Sequence, residues 1–279
     1  MTIHVPSTIT GRPQAPVRWF DRLIAAWPRV PNILLSLVLP AAILVLWQVA
    51  ASFGWMSAQI LPAPSFVLAT LVDLFKTGEI TTNLMISLHR ITLGFAFGAS
   101  AGFLLGLLLG TSQRAREYLE PITRALFAVP TLGWLPIFIL IFGIEETLKV
   151  LIIAKAVLVP ILLNTSQGIR NIPESYLEAA RVLRLRPWTR FLKLTVPAAL
   201  PSIFTGVRLG LSHAFIALVV VEMLAGTEGI GYMMVWGRTL FQTDIVIAGM
   251  IVVGAIGFTL DAVLRRIERS LSRWTPAHD

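Results

Sequence analysis

Four ionisable side chains lie inside otherwise apolar stretches of this chain: Arg90, Lys155, Arg208 and Glu222. Charged groups at membrane depth are costly, so these residues are candidates for a substrate path or a gate. Arg90 and Glu222 share a depth and could pair, either as a structural ion pair or as part of a gate. Lys155 and Arg208 have no acidic residue at a comparable depth. Three cations against one carboxylate favour an anionic solute.

The motifs that would indicate an enzyme are absent from the sequence. There is no Cys, the four His residues are scattered, and no stretch reads GxxxxGK[ST]. A nucleophile elbow, a paired-carboxylate site and a zinc helix are also missing. We therefore expect no catalytic, metal or cofactor site in this chain, and any ATP hydrolysis to reside in another polypeptide.

Composition indicates an all-α, polytopic membrane protein. The 279 residues are 56% hydrophobic and 14% charged, with a mean hydropathy of +0.77, whereas soluble domains are about 25% charged. The pattern predicts a tail over 1–32 without a signal peptide, a transmembrane domain over 33–264 and a second tail over 265–279. Six spans of about 20 residues are expected, at about 33–53, 82–110, 121–143, 148–168, 198–222 and 245–264.

The basic residues indicate which side each loop faces. Of the 23 Lys and Arg, 17 lie in the two tails and in the 111–124 and 170–193 loops, and three lie in the opposite loops. Such a bias predicts that both termini and the 170–193 loop are cytoplasmic. It also explains the net charge of +8 without nucleic acid as a partner.

Two predicted spans carry unusual residues. In the second, glycines recur at every fourth position and would form one groove for close approach of another helix, in either a static or a moving contact. The third contains three prolines, Pro121, Pro130 and Pro136, and should be kinked or locally broken. The glycines are Gly94, Gly98, Gly102, Gly106 and Gly110.

The polar run between the fourth and fifth predicted spans reads as a short amphipathic helix over about 173–186. Pro173 suits a first turn, and Glu174 complements the positive end of the helix. Tyr176, Ala180 and Leu183 fall on one apolar stripe. Pro187 is expected to stop the helix.

Within this run, Glu178-Ala179-Ala180, followed by Trp188, Phe191 and VPAALP (196–201), resembles the EAA loop of ATP-binding-cassette importer permeases. Further segments resemble the nitrate/sulfonate/taurine-type subfamily. They cover most of the chain: LPAPSFVL (61–68), SLHRITLGFAFG (87–98), VPTLGWLPIFILIFGI (129–144), PILLNTSQGIRNI (160–172), VVVEML (219–224) and GIGYMMVWGRTLFQTD (229–244).

This resemblance implies a type I importer fold in a bacterial cytoplasmic membrane. Two copies would form the path for a sulfonate, taurine or nitrate. Two ATP-binding subunits would hold ATP and Mg, and a solute-binding protein would deliver the solute at the outer face. The surface helix would dock into the ATP-binding subunit. Its contact residues would be Tyr176, Glu178, Ala179, Ala180, Arg181, Leu183 and Arg184.

Two residues of the surface helix raise specific expectations. Glu178 could pair with a cation of the partner or with Arg181. Arg184 stands where the family usually has the glycine that ends the helix, and arginine in a left-handed turn would cost about 1 kcal/mol. We therefore expect the helix either to continue to Pro187 or to end in a different turn.

Other readings remain open at this point. An ion-gradient-driven secondary transporter would have only Glu222 and Asp261 as intramembrane proton sites. That class usually shows inverted repeats and paired broken helices, and only one proline-broken span is evident here. The same importer class also carries other small nutrients, neutral or aromatic. The surface helix could also lie on the membrane without a partner. A non-transporting membrane scaffold would leave Lys155 and Arg208 unexplained.

Overall fold

The computed structural model describes residues 32–271, with side-chain surroundings for 37–268. Residues 1–31 and 272–279, which comprise nearly all of the predicted N-terminal tail and half of the C-terminal one, lie outside the described residues. The described part is helical without strands, so the all-α prediction is confirmed. The helices are α1 (Asn32–Ser52), α2 (Pro64–Lys76), α3 (Glu79–Thr111), α4 (Gln113–Ala128), α5 (Leu135–Phe142), α6 (Glu146–Arg170), α7 (Glu174–Val182), α8 (Pro187–Arg190), α9 (Val196–Ala225), α10 (Ile230–Thr239) and α11 (Thr243–Leu271).

The chain divides into two units, residues 1–55 and residues 56–279. In the first unit α1 is an apolar helix of 21 residues with Pro40 in its interior. At 1.5 Å per residue it is about 30 Å long, close to the thickness of a hydrocarbon core. The second unit contains α2 to α11 and all the candidate site residues.

Three segments of the described chain are long and apolar enough to cross a membrane: Glu79–Thr111, Pro187–Ala225 and Thr243–Glu268. A fourth is possible if α4, a short 3₁₀ turn over Thr131–Trp134 and α5 cross as one, although this pair bends by 88°. The break falls at Val129, whose extended backbone is the conformation favoured before Pro130. The third predicted span is thus broken where its prolines indicate, while the count of six spans stays a prediction.

The core of the second unit is a stack in which α6 lies between α3 and α9. The glycines of α3 face α6: a Cβ built at Gly98 would lie 2.3 Å from the Ala154 carbonyl oxygen. At Gly102 the corresponding distance to the Leu158 carbonyl oxygen is 2.7 Å. Because these neighbours are backbone atoms of α6, they cannot turn aside as a side chain can. The two helices can therefore lie this close only where α3 lacks side chains.

A second set of small residues joins α6 to α9. A Cβ at Gly206 would lie 3.1 Å from the Pro160 carbonyl oxygen, and one at Gly168 would lie 2.6 Å from the Ser202 Cβ. Ile152, Ile153 and Val157 of α6 are completely buried in this stack. The end of the stack where α3 and α6 begin and α9 ends is called the outer end below, and the opposite end the inner end.

Two segments extend beyond their predicted limits. A π-helical turn over Phe191–Thr195 links α8 to α9, so that one helical run covers 187–225. Helix α11 continues to Leu271, past the predicted end of the sixth span at residue 264. The Gly-rich segment before it is not a loop throughout, because it contains α10, which packs on α11.

The glycine contacts give a direct stability test. We expect Gly98→Ala to lower the free energy of unfolding by about 1–3 kcal/mol, because the added methyl group overpacks against α6 backbone. Gly254→Ala is the matched control, since a Cβ there meets nothing within 4 Å and alanine favours a helix by up to about 1 kcal/mol. Thermal unfolding of the purified protein in detergent measures both. Equal stability of the two variants would contradict the packing described for α3.

Candidate functional site

Arg90 lies at the outer end and is fully buried, with a relative exposure of 1%. Its Nε and Nη2 groups donate to the two carboxylate oxygens of Glu146, both at 2.7 Å. Its Nη1 group donates to Glu222 Oε1 at 2.8 Å and to the Glu228 carbonyl oxygen at 2.7 Å. The guanidinium of α3 therefore binds α6, the end of α9 and the segment before α10 at once. This geometry uses the planar fork of arginine, which lysine could not reproduce.

The carboxylate of Glu222 is also fully buried and accepts further hydrogen bonds. Ser87 Oγ donates to its two oxygens at 2.8 and 3.0 Å, and the Gly231 N–H donates to Oε2 at 2.9 Å. Ser87 in turn accepts from the Ile230 N–H at 3.0 Å. A buried ion pair needs additional hydrogen bonds of this kind to offset the free-energy cost of removing its charges from water. Arg90, Glu222, Ser87 and Glu146 are together called the Arg90 cluster below.

The backbone before α10 fits against this cluster only because it is glycine. Gly229 has a φ of +107°, and a Cβ there would lie 2.3 Å from Glu222 Oε1 and 2.7 Å from Arg90 Nη1. Its N–H donates to Asn83 Oδ1 at 2.8 Å. The turn is thus closed on both sides by polar groups of α3 and α9.

Glu146 connects the Arg90 cluster to solvent. Its side chain is 59% exposed, and it accepts a second charged hydrogen bond from Lys149 Nζ at 2.7 Å. Glu146 is the first residue of α6 and precedes the predicted fourth span. The hydrogen bonds from Arg90, with a smaller contribution from Lys149, lower the pKa of Glu146 to about 2. It therefore stays ionised throughout the physiological pH range.

Lys155 lies apart from the Arg90 cluster, in a pocket of about 540 Å³. Its Nζ lies 5.3 Å from the centroid of the Trp134 ring, a cation–π contact. No ion pair with Lys155 is formed within the described residues. The indole N–H of Trp134 is buried and has no hydrogen-bond partner there either. This Lys155 pocket is otherwise apolar and is lined by Phe97, Leu126, Phe127, Phe138, Leu151 and Leu158 among others.

Arg208 differs from the expectation. Its Nη1 lies 3.5 Å from Glu268 Oε2, so the prediction that Arg208 has no acidic neighbour is wrong. The cause is the extension of α11, which carries Glu268 alongside α9 beyond the predicted end of the sixth span. Of the three cations predicted to lie within spans, only Lys155 has no carboxylate partner among residues 37–268. The four predicted residues therefore do not form one site.

The surface helix α7 is shorter than predicted, ending at Val182 rather than near residue 186. Of its apolar stripe, only Ala180 is buried, whereas Tyr176 is 53% and Leu183 69% exposed. Glu178 and Ala179 are exposed as well. Arg181 makes its ion pair with Glu174, so the suggested pairing with Glu178 is not found.

Arg184 resolves the question of how α7 ends. Its φ is +48°, in the left-handed region. The Leu185 N–H donates to the Ala180 carbonyl oxygen at 3.1 Å, and the Arg184 N–H donates to the Arg181 carbonyl oxygen at 3.0 Å. This is the Schellman turn that glycine usually makes. Both alternatives in the sequence analysis, a helix continuing to Pro187 and a different turn, are therefore wrong.

Pro187 does not stop α7 but begins α8, where its missing N–H leaves no hydrogen bond unmade. The segment between α7 and α9 exposes several large apolar side chains at the inner end. Val182 and Trp188 are exposed, and the Trp188 ring stacks on Phe191 at 5.8 Å between centroids. An exposed apolar group of this size next to charged residues is typical of a protein–protein contact.

Sequence reasoning missed several members of the Arg90 cluster. Ser87 was detectable in principle, because it lies one helical turn before Arg90 on the same face. Glu146 falls between the third and fourth predicted spans, and its reach across to α3 depends on how the helices pack. Gly229 and Gly231 stand in a segment whose glycines are evident, but their contact with Glu222 requires the tertiary structure.

Comparisons with known proteins agree with these features. Residues 98–273 match the family described as the inner membrane component of binding-protein-dependent transport systems. A protein of Bacillus subtilis (strain 168) named as the aliphatic sulfonates transport permease SsuC is 40% identical over 244 residues, which cover 88% of each chain. The taurine transport system permease TauC of Escherichia coli (strain K12) is 32% identical over 258 residues, covering 91% of this chain and 94% of its own.

Two further comparisons extend this set. The nitrate import permease NrtB of Synechocystis sp. is 34% identical over 249 residues, covering 85% of this chain and 89% of its own. Among solved structures, a chain from inward-facing conformations of the MetNI methionine ABC transporter superposes with a TM-score of 0.51 at 18% identity. The match covers 68% of this chain and 94% of that one. At this identity the structural match supports the fold alone.

The apolar helices and the match to the MetNI chain define a multi-pass, all-α membrane protein with a type I importer permease fold. The chain belongs to the family of inner membrane components of binding-protein-dependent transport systems, the permeases of ATP-binding-cassette importers. The predicted family, fold class and inner-membrane localisation are thereby confirmed. The SsuC and TauC relatives are named as transport permeases.

The left-handed arginine yields a prediction about α7. Arg184→Gly removes the steric strain at a positive φ and should raise the free energy of unfolding by about 1 kcal/mol. Val182→Gly is a control that introduces glycine inside the helix, where it should cost about 0.5–1 kcal/mol. Denaturation of the purified protein in detergent measures both. A loss of stability in Arg184→Gly would show that the turn is not the one described.

Proposed function

We propose that this chain is the transmembrane permease subunit of an ATP-driven importer and forms the path of a small anionic solute. The negative charge of the solute is inferred from the Lys155 pocket. The Lys155 ammonium group stands there beside the Trp134 indole N–H, and in the described part of the chain neither group has an acceptor. An entering oxyanion would supply the charge and the acceptor that both donors lack.

The solute class follows from the relatives together with this chemistry. The permeases reported above serve aliphatic sulfonates, taurine and nitrate by name. We infer a solute with a compact oxyanion head, with a sulfonate as the first candidate because the 40% identical relative bears that name. The aromatic and aliphatic walls of the pocket suit a short organic tail better than a second charge.

Coupling to ATP hydrolysis is assigned to α7 and the residues that follow it. Glu178, Ala179 and the apolar side chains of Val182 and Trp188 are exposed beside one another in the chain. We propose that they contact a separate ATP-binding subunit, which would hold ATP and Mg. Ala180, which is buried, would support the helix from behind. The coupling surface further includes Tyr176, Arg181, Leu183 and Arg184.

We further propose that the working unit contains two copies of this chain, two ATP-binding subunits and a solute-binding protein at the outer face. The support is the family to which the chain belongs, together with the large apolar side chains that the single chain leaves exposed, such as Leu104, Leu140 and Phe258. These surfaces suit lipid and a second copy. The Arg90 cluster is assigned a structural role, because its charges are fully engaged with one another.

A secondary transporter is less well supported. Its proton carriers would be Glu222 and Asp261, yet Glu222 is bound by Arg90 and Asp261 lies 2.9 Å from Arg265. A carboxylate held in this way is not free to take up a proton during transport.

The test is uptake into liposomes that contain the complete importer with its binding protein. Initial rates are measured with labelled ethanesulfonate, taurine and nitrate, and ATP hydrolysis is followed in the same vesicles. Lys155→Gln should lower uptake of the transported anion about tenfold to a hundredfold, as expected for losing a charged hydrogen bond. Lys155→Arg, the control that keeps the charge, should retain most of it.

Two results would contradict the proposal. One is an unchanged rate for every anion in Lys155→Gln, which would remove Lys155 from the path. The other is uptake that continues without ATP but follows an imposed ion gradient, which would move the protein to the class of secondary transporters.

A further inference from the structure

A second pocket lies along α6 on the inner side of the Lys155 pocket. Its volume is about 310 Å³. In contrast to the Lys155 pocket, it is lined by many polar groups. They are Glu120, Thr123, Arg124, Ser166, Gln167 and Arg170. It is called the Arg170 pocket below.

The two pockets are adjacent and share one wall residue. Phe127 of α4 lines both of them. On α6, Lys155 and Leu158 line the first, and Leu162, Ser166 and Arg170 line the second. These positions recur every three or four residues and therefore occupy one face of the helix. At 1.5 Å per residue, the 15 residues from Lys155 to Arg170 span about 22 Å.

The Arg170 pocket carries its own counter-ion. Glu120 Oε1 lies 2.6 Å from Arg124 Nη2 and 3.9 Å from Arg170 Nη1. One carboxylate is thus shared by two guanidinium groups, which leaves one positive charge in excess. The distance from Arg170 to Glu120 is longer than a hydrogen bond, so the N–H groups of Arg170 are not all bound by Glu120. Ser166 and Gln167 add neutral donors beside it.

We propose that the Arg170 pocket is a second oxyanion site on the solute path, at which the solute pauses before it leaves the inner end. The proposal rests on the importer function described above. A sulfonate head would bind Arg170 and Arg124 in competition with the Glu120 carboxylate. Because the Glu120 carboxylate competes for the same two guanidinium groups, it lowers the affinity of the site for the solute. The solute is therefore released rather than retained. Phe127 lies in the wall of both sites.

A lipid phosphate offers the same chemistry as a sulfonate head. The transported anion is favoured because the Arg170 pocket shares Phe127 and one face of α6 with the Lys155 pocket. A headgroup site would have no need of that arrangement.

The experiment measures equilibrium binding of labelled ethanesulfonate to the purified complete importer in phosphatidylcholine nanodiscs. The Lys155→Gln background isolates the second site. In this background Arg170→Gln should weaken binding about tenfold, and Glu120→Gln should strengthen it about tenfold, because the competing carboxylate is lost. Arg265→Gln is the matched control. Its side chain is 41% exposed against 42% for Arg170, and it too is paired with a carboxylate, so it should leave binding unchanged.

Inorganic sulfate, used as a second probe, separates this proposal from the choice of solute. Sulfate binding that depends on Arg170, together with no binding of ethanesulfonate, would support the site and contradict the sulfonate assignment. Equal binding of both probes by the Arg170→Gln, Glu120→Gln and control proteins would overturn the site. Binding that disappears when phosphatidylglycerol replaces phosphatidylcholine would assign the pocket to a lipid headgroup and overturn its place on the path.

Discussion

The buried guanidinium of Arg90 is the interaction on which the outer half of this permease depends. It joins three helices and the turn before α10 through hydrogen bonds of 2.7–2.8 Å. Removing one partner from such a pair leaves a buried charge, at a cost of about 3–5 kcal/mol. Packing alone fixes how closely α3, α6 and α9 approach. The Arg90 cluster fixes their register along the stack, because a shift of one turn would separate the charges.

The two ends of the stack differ in how tightly their polar groups are bound. At the outer end the polar groups of the Arg90 cluster are saturated by one another, and a glycine with a positive φ closes the turn. At the inner end α7 is exposed on most of its surface, and Arg184 occupies a strained conformation. The two pockets lie along α6 between these ends. Helix α7 is therefore held by few contacts with the stack, whereas the outer end is tied together by buried hydrogen bonds.

The sequence predicted the features that depend on one residue type at a regular spacing. The glycine repeat of α3, the proline break before α5 and the depth shared by Arg90 and Glu222 are of this kind. It did not predict Glu146 or Glu268 as partners, because those contacts depend on where one helix lies against another. The position of Arg184 was identified correctly, but its conformation was not. Steric preference argued against a left-handed arginine, whereas two backbone hydrogen bonds and the chain direction into α8 favour it.

Hydrogen exchange of the 226–234 segment tests the central role of the Arg90 cluster most directly. In the Glu222→Gln protein the Gly231 N–H loses a charged acceptor and Arg90 loses one of its two carboxylates. Exchange across this segment should therefore accelerate about a hundredfold or more, as expected for a change of about 3 kcal/mol or more, while α7 is unaffected. Asp261→Asn, which alters the pair with Arg265 on α11, should leave the segment protected. Unchanged protection of 226–234 in Glu222→Gln would show that packing alone holds the outer end together.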